Sequence, residues 1–398
     1  MRSESQGSAP ELPAQLAGLF DSVVSMEFLR EYWQRGPVLA CADREQLASI
    51  GFDSDTVERL LRRASSSESS RLHVITGGRA VPSPPEAAHG AGGRSVLGAG
   101  RSAYSKPILL TRVDTLAASI ADVCKSLERR LVSAQVLLSS PVSANLYTSP
   151  SGCAGLLPHY DNHDVFIVQL DGEKLWHVHE PVDRFPIERD VNDRRREALP
   201  PLLLEATLRA ADVLYIPRGF IHEASTETHA SIHLTLAVNP RTWLDVLSRA
   251  AVRSASLREA LPAGGAGDPE LVRSGLTSRL TALAAQMSDP DGVYEITQEL
   301  ASDGPRVGAP SNRPLRLDSV VVRRPDAYLS LELREATVYL RAGGCQLTSS
   351  LQMQPAFSFV SERTRFTSAE LPDLLPDEGK LQLVRELIAA GVLDIVDP

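Results

Sequence analysis

Short apolar runs separated by turn residues fill the centre of the chain, from residue 142 to residue 240. The runs are rich in β-branched and aromatic residues and read VSANLYT, DVFIVQL, KLWHVHE, ADVLYIP and SIHLTLAV. Several short strands with this punctuation are typical of an antiparallel sandwich or barrel. The pattern therefore predicts an all-β core.

Asp171-Gly172 separates two of these runs and is the strongest sequence signal for a two-residue hairpin. We therefore predict a strand over residues 165–170 and a return strand over residues 173–178. Lys174 falls inside this otherwise apolar segment. A buried lysine is costly without an anionic partner, so Lys174 is a candidate anion-binding residue.

Helical periodicity flanks the core on both sides. Apolar residues at steps of three and four predict an amphipathic helix before it, with Val113, Leu116, Ile120, Val123, Leu127 and Leu131 on one face. Residues 244–300 are again helical in pattern, with Leu276, Leu280 and Leu283 on one side. That segment either covers the barrel or pairs with a second copy of the chain.

A small mixed domain is predicted towards the C-terminus. Alternation from Leu329 to Leu333 predicts a half-exposed strand, and Thr367 and Glu370 have the spacing of a capping box. A last helix carries Leu381, Val384 and Ile388 and ends at Gly391. Strands followed by short helices resemble a winged helix. Its final segment holds more Asp and Glu than Lys and Arg, which favours contact with protein over contact with DNA.

Length and composition place these segments in two or three domains of a 398-residue chain. Residues 64–103 are dominated by Ser, Gly, Ala and Pro, interrupted by a strand-like run at 72–76, and we predict a flexible insertion there. Residues 1–15 are predicted to be disordered. Nothing in them resembles a secretion signal, so the expected location is cytoplasmic.

Charge and cysteine content exclude several classes of protein. The net charge of -9 argues against general attraction to nucleic acid. No apolar run approaches the roughly 20 residues of a membrane span. The four cysteines lie far apart and form no CxxC pair, which argues against a zinc ribbon and a disulfide framework.

His159 and Asp161 form the candidate metal motif, because residues i and i+2 of a strand point to the same side. Two histidines and one carboxylate are the ligand set of non-haem Fe(II) oxygenases. His222 follows 63 positions later, after an apolar strand and a Pro-Arg-Gly turn, and could return to the first pair across a barrel. By itself an isolated HxD is a chance pattern in most sequences.

Other histidines offer a rival metal site, and several polar residues could add contacts to the first one. A rival group, His177-Val-His179-Glu180, has parity opposite to Lys174 and should face away from it, and His163 is a weak candidate. Asn145 and Tyr147 share one face of the strand before the HxD and could add neutral hydrogen bonds. His233 shares a strand with Ser231, and either points into the site or merely packs beside it.

Taken together, PHYDNHDVFIVQLDGEKLWHVHEP, IPRGFIHEAS, HASIHLTLAV and FLREYWQRGPVLA resemble the cupin-like JmjC oxygenases, in particular the ribosomal oxygenases. The resemblance implies an α+β fold with a double-stranded β-helix (jelly-roll, cupin) catalytic domain over residues 16–240. It implies a helical dimerisation segment over 241–302 and a winged-helix domain over 303–398. The Ser/Gly/Pro-rich stretch looks longer than the family pattern.

The same resemblance implies residue roles. His159, Asp161 and His222 would bind Fe(II), and Lys174 would pair with the far carboxylate of 2-oxoglutarate, with Asn145 near this co-substrate. Tyr147 and Ser231 would line the pocket. The implied reaction uses O2 to decarboxylate 2-oxoglutarate to succinate while a C–H bond is hydroxylated, chemistry that no side chain performs unaided.

Three functions remain open from the sequence. The leading one is hydroxylation of a histidine or arginine of a ribosomal protein by a homodimer, since an acidic enzyme would attract a basic substrate. The second keeps the oxygenase and acts on a peptide natural product or a methylated lysine. The third is a catalytically silent cupin that serves as a binding module.

Overall fold

The computed structural model describes residues 19–49, 56–57, 59–60, 71–82, 106–187, 198–302, 304, 315–323, 329–334, 336–342, 345–389 and 392–396. The predicted disorder at 1–15 lies outside these residues, as does most of the insertion predicted at 64–103. The chain divides into two compact units, the first holding residues up to Ala134 with Pro141–Asn239, and the second holding Gln135–Ser140 with the chain from Pro240 onwards.

The first unit is built from antiparallel strands, as the short apolar runs separated by turn residues predict. They are β1 (Val38–Cys41), β2 (Leu72–Thr76), β3 (Arg79–Pro82), β4 (Ile108–Leu110), β5 (Ser143–Ser149), β6 (Asp164–Pro181), β7 (Leu202–Arg209), β8 (Asp212–Ile216), β9 (Phe220–Ser225) and β10 (Ser231–Val238). The main order is β1-β8-β6-β10-β5-β4-β2-β3, and β7 and β9 pair with β6 outside this path. The second half of β6 faces β5 and β10, so two sheet layers enclose a common interior.

The hairpin predicted at Asp171-Gly172 is wrong. β6 is continuous: its first half pairs with β8 and β10, and its second half pairs with β7 and β9. Asp171-Gly172 forms a bulge against β10, where the register shifts between Ile232 and His233. Glycine is needed at 172 because its φ is 67° and a Cβ there would lie 1.7 Å from the carbonyl oxygen of Ala230.

Helices α1 (Met26–Glu31), α2 (Arg44–Ser49) and α3 (Ala118–Ser133) belong to the same unit. α3 is the predicted amphipathic helix, and it begins later than its apolar pattern does. Val113 lies in a separate 3-10 turn, Val113–Thr115, which follows a left-handed residue at Arg112. The buried face of α3 includes Ile120, Val123, Leu127 and Leu131.

The second unit begins with three helices, α4 (Trp243–Arg253), α5 (Pro269–Met287) and α6 (Pro290–Ser302). A capping box of Thr242 and Asp245 starts α4. The predicted stripe on α5 is only partly buried: Leu283 is 3% exposed, whereas Leu276 and Leu280 are 48% and 46% exposed. Leu283 instead packs in a small core with residues of α4 and α6.

The remainder of this unit contains two three-stranded sheets and two helices. The strands are β11 (Val320–Arg323), β12 (Leu329–Arg334), β13 (Thr337–Ala342), β14 (Cys345–Ser350), β15 (Arg365–Thr367) and β16 (Leu393–Val396), in the orders β15-β11-β16 and β12-β13-β14. The helices are α7 (Gln354–Glu362) and α8 (Asp377–Ala389). The predicted capping box of Thr367 and Glu370 is present, at a 3-10 turn. Among the residues that the structure describes, no helix is long and apolar enough to cross a membrane.

Candidate metal centre

Three backbone hydrogen bonds bring the candidate ligands together in the first unit. His159 and His222 form an isolated antiparallel bridge, in which each amide donates to the carbonyl of the other at 3.2 and 2.8 Å. The amide of Gly219, in the Pro-Arg-Gly turn, donates to the carbonyl of Asp161 at 2.9 Å. The main chain thus fixes the positions of His159, Asp161 and His222 relative to one another.

The donor atoms of these three residues converge. One potential ligand atom from each of His159, Asp161 and His222 lies within 4.8 Å of the others. Asp161 and His222 are buried, and the distance from Asp161 Oδ2 to His222 Nε2 is 3.7 Å. Among the residues that the structure describes, no other group of histidine, cysteine and carboxylate side chains converges in this way.

Both imidazoles are oriented by a hydrogen bond at Nδ1. His159 Nδ1 lies 2.8 Å from the carbonyl oxygen of Leu157, and His222 Nδ1 lies 3.1 Å from that of Phe220. A carbonyl oxygen only accepts, so each Nδ1 carries the proton and each Nε2 carries a lone pair. Metal-binding histidines are typically held by such a bond, which selects the tautomer able to coordinate. The donor set therefore fits a divalent transition metal such as Fe(II).

The rival histidines lie elsewhere. His177 is on the opposite face of β6 from Lys174, where its Nε2 is 3.0 Å from Glu205 Oε2. His179 directs Nδ1 to the carbonyl oxygen of Pro200 at 2.9 Å. His163 is not part of the converging group. The parity argument that set this group apart from Lys174 is thus consistent with the structure.

Lys174 enters the interior between the two sheet layers. It is 3% exposed, and its Nζ donates to Ser149 Oγ at 2.9 Å. The Nζ atom also lies 6.0 Å from the ring centroids of Tyr147 and Trp176. Burial lowers the pKa of Lys174 to about 7, and the nearby Cys153 opposes that effect. No carboxylate among the described residues lies within ion-pairing distance of this ammonium group.

The remaining predicted pocket residues lie on the same inner face. Tyr147 stands opposite His233 across β5 and β10, and Asn145 stands opposite Thr235. Asn145 Oδ1 accepts a hydrogen bond from the amide of Arg112 at 3.1 Å. Ser231 is buried, and its Oγ accepts from Gln169 Nε2 at 2.8 Å.

Three interior residues were not singled out from the sequence: Ser149, Gln169 and Trp176. The period of two was an available signal, since Trp176 shares the inner face of β6 with Lys174 and Ser149 shares that of β5 with Tyr147. Trp176 contacts both a candidate metal ligand, His222, and the buried His233. Its ring lies 6.2 Å from that of His222 and 5.4 Å from that of His233.

A buried carboxylate braces the turn that precedes His222. Asp164 is fully buried and accepts from the amide of Arg218 at 2.9 Å, from the hydroxyl of Tyr215 at 3.1 Å and from Gln34 Nε2. Burial raises the pKa of Asp164 to about 6, and these hydrogen bonds oppose the increase. The amide of Gln34 donates in turn to the Tyr215 hydroxyl at 3.0 Å. The segment after α1 is thereby tied to the Pro-Arg-Gly turn.

Comparison with known proteins agrees with this geometry. Residues 122–246 match the JmjC domain family. The chain is 27% identical over 276 residues to a bifunctional lysine-specific demethylase and histidyl-hydroxylase NO66 of Dictyostelium discoideum, covering 63% of this chain and 50% of that protein. It is 30% identical over 251 residues to ribosomal oxygenase 1 of Bos taurus, covering 60% and 36%. The chain thus spans about half or less of the length of these relatives.

The fold is also similar to a solved structure. YcfD, a ribosomal oxygenase from Escherichia coli in complex with cobalt and 2-oxoglutarate, matches with a TM-score of 0.51 and 19% identity. The match covers 93% of this chain and 98% of that chain. At this level of identity the similarity shows a shared fold. The expectation of a cupin-like JmjC fold with antiparallel sheets and accompanying helices is confirmed.

Proposed function

We propose that this chain, which carries a JmjC domain over residues 122–246, is an Fe(II)- and 2-oxoglutarate-dependent oxygenase that hydroxylates a protein side chain. The observation that carries the proposal is the convergence of His159, Asp161 and His222 within 4.8 Å. Two oriented imidazoles and one carboxylate form the facial ligand set of non-haem iron oxygenases. A silent cupin would have no need to keep this donor set together with a buried lysine.

The residues of the chain have distinct roles in this proposal. His159, Asp161 and His222 would hold Fe(II), which with 2-oxoglutarate and O2 supplies the oxidising chemistry. Lys174 would bind the far carboxylate of 2-oxoglutarate, since burial leaves its ammonium group without a carboxylate of the chain to pair with. Asn145, Tyr147 and Ser231 would line the co-substrate pocket. The two sheet layers would exclude bulk water from it.

The proposed substrate is a ribosomal protein, hydroxylated on a histidine or arginine. Two relatives support this choice through their names, ribosomal oxygenase and histidyl-hydroxylase. The net charge of -9 also suits a basic substrate, because opposite charges accelerate encounter. The proposal places the reaction in the cytoplasm and assigns no nucleic-acid contact to the chain.

We further propose that the chain is a homodimer that pairs through α4 and α5. Both helices expose large apolar side chains: Trp243, Leu244 and Leu247 on α4, and Leu271, Leu276 and Leu280 on α5. Exposed apolar surface of this extent usually marks an interface. The region from 303 onwards would be a winged-helix domain that contacts protein. A monomeric mass by light scattering at micromolar concentration would refute the dimer.

The test of the proposed function uses intact mass spectrometry. Purified ribosomal proteins are incubated with the full-length chain, Fe(II), 2-oxoglutarate and O2, in parallel with the His159→Ala and His177→Ala variants. The expected result is a gain of one oxygen, about 16 Da, on one protein with wild type and with His177→Ala, and no gain with His159→Ala. His177 is a matched control because it lies on the outer face of the same barrel.

A second substrate class rests on one observation, since a relative also carries the name lysine-specific demethylase. Loss of about 14 Da from a methylated lysine peptide, without any oxygen gain on ribosomal proteins, would favour demethylation. Absence of both mass changes and of succinate would leave a binding module.

A further inference from the structure

The tip of the β2–β3 hairpin contacts the loop that carries His159. Gly77 and Gly78 close this hairpin as a two-residue turn. Both glycines have a positive φ, 58° and 76°, as a type I′ turn requires. The hairpin lies within the Ser/Gly/Pro-rich stretch at 64–103, to which the roles above assign nothing.

Two successive hydrogen bonds connect Gly78 to the ring of His159. The Gly78 carbonyl accepts from the amide of Leu157 at 2.9 Å, and the Leu157 carbonyl accepts from Nδ1–H of His159 at 2.8 Å. The second bond selects the tautomer whose Nε2 lone pair can coordinate a metal. The position of the Leu157 peptide therefore decides where His159 directs its donor atom.

The hairpin holds the middle of a loop whose two ends are held by β9. The amides of Gly155 and His159 donate to carbonyls of β9 at 2.8 and 3.2 Å. Leu157 lies between these two anchors, and its amide donates to the hairpin instead. The hairpin thus supports the residue whose carbonyl orients the metal ligand.

Gly78 approaches this loop more closely than a turn alone requires. A Cβ at Gly78 would lie 2.5 Å from Leu157 Cγ, 2.9 Å from its Cδ2 and 3.1 Å from its amide nitrogen. At Gly77, which also has a positive φ, a Cβ would meet nothing within 4 Å. Glycine at 77 serves the turn, whereas glycine at 78 serves both the turn and the contact with the loop.

We propose that Gly78 is a positioning residue for the metal centre, which acts through Leu157 to hold His159 in the tautomer and orientation that a metal ion requires. The inference rests on the metal centre of the proposed function and adds the hairpin to it. Outer partners of metal-binding histidines typically contribute ten- to hundredfold to metal affinity. Part of the stretch at 64–103 would thereby tune the affinity of a site that lies far from it in the sequence.

Gly78→Ala and Gly77→Ala form a matched pair, because both place a Cβ at positive φ in one turn and only the first meets Leu157. Each full-length protein is titrated with Co(II) and followed by visible absorption. We expect about tenfold weaker binding and an altered spectrum for Gly78→Ala, and binding within twofold of wild type for Gly77→Ala. Equal losses in the two variants, or no loss in Gly78→Ala, would overturn the inference.

A double variant tests whether the overlap acts through Leu157. Leu157→Ala removes the two side-chain atoms that a Cβ at 78 would meet, but it keeps the amide and the carbonyl that link Gly78 to His159. Gly78→Ala combined with Leu157→Ala should regain most of the lost Co(II) affinity. A double variant as weak as Gly78→Ala would contradict the proposed link.

A measurement on the wild-type chain covers the case in which Gly78→Ala does not fold. If the hairpin supports the metal ligand, bound metal must stabilise the hairpin by the same factor. Amide hydrogen exchange of residues 72–82 should therefore slow about tenfold when Zn(II) is added. Exchange that is unchanged at saturating Zn(II) would overturn the inference, whereas failure of wild type to bind Co(II) or Zn(II) would overturn the metal centre itself.

Discussion

The peptide groups of His159 and His222 hydrogen-bond to each other in both directions, with N···O distances of 3.2 and 2.8 Å. Residues far apart in the sequence are therefore held as direct neighbours by the main chain. The side chains inherit that arrangement, and their Nδ1 bonds to Leu157 and Phe220 fix the ring orientation. The donor set is thus organised by the protein itself.

This organisation predicts how metal affinity responds to substitution. Replacing His159 or His222 with alanine removes one of three donors, and we expect the affinity for Co(II) to fall more than about a hundredfold, beyond the loss seen for outer partners of ligands. His177→Ala should bind Co(II) as wild type does. The measurement is a titration followed by visible absorption. Equal losses in His159→Ala and His177→Ala would contradict the assignment.

Lys174 predicts a pH dependence of co-substrate binding. Burial lowers its pKa to about 7, so in the ligand-free protein the lysine loses its proton as the pH rises above 7. A bound dianion favours the charged form and raises the pKa again, so binding above pH 7 requires uptake of a proton. The affinity for 2-oxoglutarate should therefore fall by up to about tenfold per pH unit between 7 and 9.

The matched variant for this effect is Lys174→Met, which keeps an unbranched side chain one heavy atom shorter and removes the charge. Its affinity should be much weaker and nearly independent of pH over the same range. Calorimetry in two buffers of different ionisation enthalpy gives the proton uptake directly. A wild-type affinity that is flat from pH 7 to 9 would show that Lys174 does not carry the charge.

The hydrogen bonds of the Tyr215 hydroxyl, which is not a metal ligand, predict that its removal lowers the stability of the fold. It donates to Asp164, which is fully buried, and accepts from the amide of Gln34, which is partly buried. Tyr215→Phe leaves two groups short of a hydrogen bond, which should lower the free energy of unfolding by about 1–3 kcal/mol. Urea denaturation measures this change. A midpoint identical to that of wild type would refute the bracing role.

The bulge at Gly172 predicts that a side chain at this position lowers stability more than one at another glycine with positive φ. A Cβ at Gly172 would meet the Ala230 carbonyl oxygen at 1.7 Å, whereas nothing lies within 4 Å of one at Gly77, which also has a positive φ. Gly77→Ala should cost about 1–2 kcal/mol from backbone strain alone. Gly172→Ala should cost about 2–5 kcal/mol, because overlap is added to strain. Equal losses in the two variants would argue against the close approach.

The sequence predicts on which face of its strand Lys174 lies relative to its neighbours, but it does not predict the backbone conformation at Asp171-Gly172. Alternation along a strand is local, so the placement of Lys174 and His177 on opposite faces of the strand followed from parity. The hairpin failed because a glycine with positive φ suits a turn and a bulge equally well. Only the strands that pair with each half of β6 decide between them, and those contacts are distant in sequence.

The candidate site likewise contains residues that the sequence predicts and residues that it does not. His159, Asp161 and His222 were predicted from a motif and a spacing, with the strand pattern between them. Trp176 lies two residues after Lys174 on β6, so the period of two could have identified it. The position of Ser149 beside Lys174 depends on how the two sheet layers face each other, which local periodicity does not show. The partial exposure of Leu276 could not be predicted either, because periodicity defines a helix face and does not show what covers it.

The central claim is that this chain turns over 2-oxoglutarate at the centre formed by His159, Asp161 and His222. The most direct test is succinate formation from 2-oxoglutarate under O2 by full-length protein loaded with Fe(II), measured for wild type, Asp161→Ala and His177→Ala. We predict succinate from wild type and His177→Ala and only background from Asp161→Ala. Succinate from Asp161→Ala at the wild-type rate, or none from wild type in the presence of ribosomal proteins, would contradict the account.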